Sequence, residues 1–84
     1  MSDRTLVIRN VLAEHGRLTS SVDELADGDS LFNVGLTSHA SVNVMLALED
    51  EFDLEFPERF LKRSTFESIA NLRLALDELL GADV

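Results

Sequence analysis

Residues 35 to 52 read Gly35-Leu36-Thr37-Ser38-His39-Ala40-Ser41-Val42-Asn43-Val44-Met45-Leu46-Ala47-Leu48-Glu49-Asp50-Glu51-Phe52. Successive residues of an α-helix are set about 100° apart around its axis. On that wheel Met45, Leu48 and Phe52 fall together with Val44 alongside, an ordinary core-facing stripe. Gly35 precedes the stretch, and either Thr37 or Ser38 can accept the first-turn amides as N-cap. The spacing therefore predicts a helix from about Ser38 to Phe52.

This helix carries more apolar surface than one core face requires. Val42 and Leu46 lie on a neighbouring strip shared with His39, Glu49, Asp50 and Asp53, with Ser38 at its edge. The apolar arc is about 200° wide on the helical wheel. Either the bundle surrounds this helix and buries Val42 and Leu46 as core, or part of the strip is exposed. The acids at 49, 50 and 53 favour exposure at its C-terminal half, and small apolar patches rimmed by charge often mark interaction sites.

Outward from this helix the pattern stays helical. Ile8, Val11 and Leu12 form a short stripe within about 3–15, stopped by Gly16. Residues 17–37 form a long connection in which Val22, Leu25, Leu31 and Phe32 are expected to be tied against the helices. After Pro57 a short helix is expected at about 58–62. Ser64-Thr65-Phe66-Glu67 has the form of a capping box. It predicts a last helix over about 65–80, with Phe66, Ile69, Leu72, Leu76 and Leu79 inward and Gly81 at its end. Strand-like alternation and repeats are absent from the sequence. The expected fold is all-α: three main helices plus one short helix in a single domain over residues 1–84, with a long structured loop between helices 1 and 2.

Charge narrows the partners. The 84 residues carry a formal net charge of -9, and between Leu18 and Glu58 there is no Lys or Arg. Phosphate backbones and anionic lipids both demand positive charge, so neither nucleic acid nor a membrane surface is expected. A protein with a basic patch is the expected partner, drawn by attraction that salt weakens. Solvation alone explains most charge runs. Here the missing counter-charges argue for more, since an ordinary helix surface intersperses Lys and Arg. The chain has no cysteine, which removes disulfides, thiolate nucleophiles and Cys-based metal sites. The N-terminal residues lead into an amphipathic pattern, and no apolar run approaches a membrane span, so a cytoplasmic location is expected.

Ser38 stands beside His39, but neighbours on a helix point apart and cannot form a nucleophile–base couple. Ala40 stands where a nucleophile elbow has its second glycine. Asp27-Gly28-Asp29 starts like a calcium loop, yet its sixth and twelfth positions are Phe32 and Ser38 instead of Gly and Glu. No catalysis and no metal are expected. Ser38 is left as either a plain N-cap or a site of covalent modification, and helix N-termini favour an anionic group.

The motifs Gly35-Leu36-Thr37-Ser38-His39, Leu48-Glu49-Asp50-Glu51-Phe52, Pro57 and Ser64-Thr65-Phe66 resemble the acyl carrier proteins over about residues 22 to 80. That family has Gly-x-Asp-Ser-Leu, then a helix ending in Leu-Glu-x-x-Phe, then a proline. The resemblance implies that Ser38 receives 4'-phosphopantetheine from coenzyme A through a phosphopantetheinyl transferase. The thiol of this arm then holds cargo as a thioester, while the carrier itself does no catalysis. It also implies that the second helix docks partners through Thr37, His39, Val42, Leu46, Glu49 and Asp50. Thr37 replaces the family's Asp, which assists arm transfer, and His39 replaces a partner-contacting Leu.

These departures resemble the bacterial aminoacyl carrier proteins. Their partner is an ATP-dependent amino acid:carrier protein ligase similar to a truncated seryl-tRNA synthetase, loading glycine or alanine for a downstream acceptor enzyme. A fatty-acyl or polyketide carrier and an unmodified acidic helical adaptor remain the alternatives.

Overall fold

The computed structural model describes residues 4–81. Three α-helices form its frame: α1, Arg4–His15; α2, Ser38–Phe52; and α3, Ile69–Leu80. Asp3, the expected start of the first helix, lies outside the described residues. Among those residues there is no strand, and short 3-10 turns occur at Val22–Glu24, Phe32–Val34, Glu58–Phe60 and Arg63–Phe66. The expected fourth helix is thus a single 3-10 turn, Glu58–Phe60, closed by the Leu61 amide donating to the Glu58 carbonyl. None of the described helices is long and apolar enough to cross a membrane.

The core is one cluster drawn from all three helices. Ile8 and Leu12 of α1, Val44 and Leu48 of α2, and Ile69, Leu72 and Leu76 of α3 are completely buried. The deepest line on α2 is Ala40, Val44 and Leu48, one residue every turn. Met45 and Phe52, expected in that line, are only partly buried at its border. Removing these side chains from water is the main force holding so small a domain together.

The long connection is pinned, as its apolar residues require. Val22, Leu25 and Leu31 are buried. Arg9 of α1 donates to the carbonyls of Val22 (2.7 Å) and Leu25 (2.9 Å) and to Asp27 Oδ1 (2.7 Å). The Leu31 amide donates to the Glu67 carbonyl at 2.7 Å, and the Ala70 amide to the Asp27 carbonyl at 2.8 Å. The loop is therefore stitched to α1 on one side and to the start of α3 on the other.

The last helix starts at Ile69 rather than near residue 65, and the capping box at Ser64 does not form. Ser68 is the N-cap, its hydroxyl oxygen accepting from the Asn71 amide at 3.0 Å. Residues 63–66 turn instead as a 3-10 segment that buries Thr65 and Phe66, with the Phe66 ring tilted against that of Phe56 at a centre-to-centre distance of 6.1 Å. The Glu67 carbonyl is engaged by Leu31, and Asn71 Nδ2 donates to the Ser64 carbonyl at 2.7 Å. These tertiary bonds outweigh a local capping signal that is worth only about 1 kcal/mol.

Candidate functional site

The turn that delivers Ser38 depends on Gly35, whose φ is +105°. A side chain there would sit in the left-handed region, and its Cβ would meet Thr19 Cγ2 at 3.0 Å. Thr19 in turn donates its amide to the Val34 carbonyl at 2.7 Å, and the Leu36 amide reaches the Leu31 carbonyl at 3.0 Å. Leu36 is buried, so the chain is anchored two residues before the serine.

At the helix entrance the two candidate caps divide their roles. Thr37 is extended, and its Oγ1 accepts from the Ala40 amide at 3.0 Å. Ser38 is the first helical residue. It is exposed, and no hydrogen bond engages its hydroxyl among the described residues. Ser41, one turn on, donates its hydroxyl to the Ser38 carbonyl at 2.7 Å. The sequence left open which residue caps; the structure assigns the cap to Thr37 and leaves the Ser38 oxygen available for chemistry. First-turn amides and the helix dipole make this a favourable place for a phosphate ester.

A groove of about 440 Å³ opens beside Ser38, between α2 and the 61–66 segment. Phe32, Val42, Met45, Leu61 and Phe66 give it apolar walls, and Lys62 and Arg63 supply its charge. The Arg63 guanidinium carbon sits 3.9 Å from the centre of the Phe32 ring, a cation–π contact that fixes it at the groove. Sequence reasoning did not single out these two cations. The signal was the return of positive charge at Arg59, Lys62 and Arg63 after the cation-free stretch.

The expected docking residues separate into two groups. His39, Val42, Leu46 and Asp50 are exposed along one side of α2, with Val42 at 49% and Leu46 at 52%. Thr37, which is also exposed, caps the first turn of α2, and Glu49 has work inside the molecule. Glu49 is half-buried, and its Oε2 accepts from the Phe56 amide at 2.8 Å. Among the described residues no ion pair engages Asp50, Glu51, Asp53, Glu55 or Glu58, so that part of the acidic surface is left uncompensated.

With this geometry in view, residues 7–73 match the model of the phosphopantetheine attachment site family. The chain belongs to that family of carrier proteins. Its group is therefore 4'-phosphopantetheine, and the site fits it: a free exposed hydroxyl, a helix N-terminus, an adjoining groove and two cations. Within the family the chain is similar to an aminoacyl carrier protein of Agrobacterium fabrum, 48% identical over 62 residues that cover 74% of this chain and 75% of the relative. A carrier protein from Agrobacterium tumefaciens has been solved with AMP and an engineered glycine:carrier protein ligase of Bradyrhizobium japonicum. It matches with a TM-score of 0.84 and 41% identity, covering 87% of this chain and 97% of the other. A holo acyl carrier protein from Nitrosomonas europaea matches with a TM-score of 0.82 and 30% identity, over 96% and 99% of the two chains.

Proposed function

We propose that the protein carries its phosphopantetheine arm on Ser38 and serves as an aminoacyl carrier, loaded with glycine or alanine by an ATP-dependent amino acid:carrier protein ligase. The observation that carries this reading is the division of labour at the helix entrance. Thr37 caps the helix, so the Ser38 hydroxyl is exposed and unengaged where an anion is favoured. When attached, the arm supplies the thiol that this cysteine-free chain lacks, and with it the capacity to hold a carboxylic acid as a thioester. The protein contributes placement. Gly35 and Leu36 fix the turn, Thr37 holds the first helical turn, and Ser38 presents its oxygen to the transferase.

Docking of the ligase, and of an acceptor enzyme that takes the amino acid onward, falls to His39, Val42, Leu46 and Asp50. Val42 and Leu46 offer exposed apolar area, and the unpaired acids around them draw a basic partner surface. Thr37 caps the first turn of this strip, and Glu49 ties its far end to the Phe56 amide. Replacing the family's Asp with Thr37 keeps a capping oxygen but removes a carboxylate beside Ser38, which bears on the choice of transferase. The likeness to a carrier solved with a glycine:carrier protein ligase supports amino-acid cargo over fatty-acyl or polyketide cargo.

Co-expression with a phosphopantetheinyl transferase followed by intact mass measurement tests the attachment. The native chain should gain the mass of the arm and Ser38→Ala should not. Gain by both, or by neither, removes Ser38 from this role. The holo-protein should then accept glycine or alanine from a ligase of this type, and preferential loading with malonyl or longer acyl groups would reverse the assignment of cargo.

A further inference from the structure

The groove beside Ser38 has a charge opposite to that of the molecule. The chain as a whole is at -9, yet among the described residues the ionisable side chains lining this groove are Lys62 and Arg63 alone. Lys62 has no ion-pair partner among the described residues, and Arg63 is held over Phe32 instead of being neutralised by a carboxylate. His39 is adjacent to Ser38 in sequence but does not line the groove.

We propose that Lys62 and Arg63 act as a cargo-discriminating rim. They hold the arm's phosphodiester close to the groove and turn an amino acid's ammonium away from its apolar walls. The inference rests on attachment at Ser38 and goes beyond it. Two charges at one mouth act on the two ends of a loaded arm with opposite sign. The phosphate is attracted, as Arg and Lys attract any phosphate. The cargo's ammonium is repelled by the same cations, and the apolar walls, Val42, Met45 and Phe66, offer it no acceptor. The groove has no carboxylate, and besides Ser38 itself only the Ser41 hydroxyl could replace part of its hydration. A neutral acyl group of the same size meets neither obstacle. The loaded amino acid is therefore kept in solvent, where an acceptor enzyme reaches it without first extracting it from the carrier.

The test compares two cargoes of equal shape, glycyl and propionyl, which differ by an ammonium in place of a methyl group. Each is joined by an amide to a pantetheine analogue and installed on Ser38, with intact mass confirming attachment. Backbone amide shifts of Val42, Met45 and Phe66 are followed by NMR against the holo-protein with an unloaded arm. At pH 6 the propionyl cargo should displace these amides at least threefold more than the glycyl cargo. Raising the pH to about 9.5, above the usual α-amino range, should bring the glycyl displacements up to the propionyl ones. The propionyl series corrects for any titration of His39. In Lys62→Gln/Arg63→Gln the two cargoes should differ less at pH 6, and the 31P shift of the phosphodiester should move. Equal displacement by both cargoes in the native holo-protein at pH 6 overturns the inference while leaving attachment intact. An unchanged pattern in the double variant also overturns it, and failure of the arm to attach removes it together with the carrier reading.

Discussion

The two ends of α2 are built to opposite purposes. At the C-terminal end the backbone and the Glu49 side chain are tied down, although Asp50, Glu51 and Asp53 remain exposed. Asp53 adopts a left-handed conformation (φ +54°), and its amide and that of Leu54 both reach the Glu49 carbonyl. The Glu49 carboxylate goes on to take the Phe56 amide, and Phe56 is buried against Phe66. At the N-terminal end a single side chain, Thr37, closes the first turn, and Ser38, His39 and Val42 are left to solvent. One helix is thus anchored at one end and presented at the other. Placing the Ser38 hydroxyl on the first turn of an anchored helix gives it a rigid base without burying it.

Three substitutions would break or sharpen that contrast. The largest effect is expected along the buried line. Leu48→Ala should cost about 2–5 kcal/mol, a large share of the stability of any small domain. Leu46→Ala, two residues away but exposed, should stay within about 0.5 kcal/mol. Urea unfolding monitored by circular dichroism reads both, and similar losses from the two would mean that the exposed strip belongs to the core.

The clasp at the closed end comes next. Glu49→Ala removes a charged acceptor from the Phe56 amide and should cost about 1–2 kcal/mol, less than a fully buried case because Glu49 is half-exposed. Glu49→Gln keeps an acceptor oxygen and should recover part of the loss. Hydrogen exchange at the Phe56 amide should quicken in Glu49→Ala, and unchanged exchange would place no weight on the clasp.

The smallest of the three lies at the open end. Thr37→Ala should cost about 1 kcal/mol in thermal or urea unfolding, whereas Thr37→Asp, which retains a capping oxygen, should be close to native. Equal losses from the two would show that the cap at Thr37 does not hold the turn. Neither change touches the Ser38 oxygen itself.

Much of this organisation was legible in the sequence for reasons that act over one or two helical turns. The periodicity of residues 38–52 gave the bounds of α2, and of the two readings its wide apolar arc allowed, the one favoured by the acids at 49, 50 and 53 is met by the exposure of Val42 and Leu46. The spacing of Gly35, Ser38, Leu48, Glu49, Phe52 and Pro57 carried the resemblance to the carrier family. Reading failed where a local signal had a tertiary competitor. Ser64-x-x-Glu67 satisfies the capping pattern, yet Ser68 caps α3, because burial of Phe66 and the bond from Leu31 to the Glu67 carbonyl require a 3-10 turn first. Glu49 was expected on the exposed docking strip, and nothing in its neighbourhood on the chain announced that its carboxylate would meet the Phe56 amide.

The sequence by itself determined an all-α chain, one helix with a surplus apolar strip, and a serine at that helix's entrance in a cation-poor surround. Caps, periodicities and motif spacings are short-range, so a linear reading reaches them. Only the tertiary structure decided that Thr37 and not Ser38 performs the capping, that Glu49 serves the fold, and that Lys62 and Arg63 stand at the groove beside Ser38. The last two depend on how the 53–68 segment packs against α2, whereas the Thr37 cap is a local bond to the Ala40 amide that the sequence had narrowed to two candidates. That packing is set by the burial of Phe56 and Phe66 together, which no local pattern encodes.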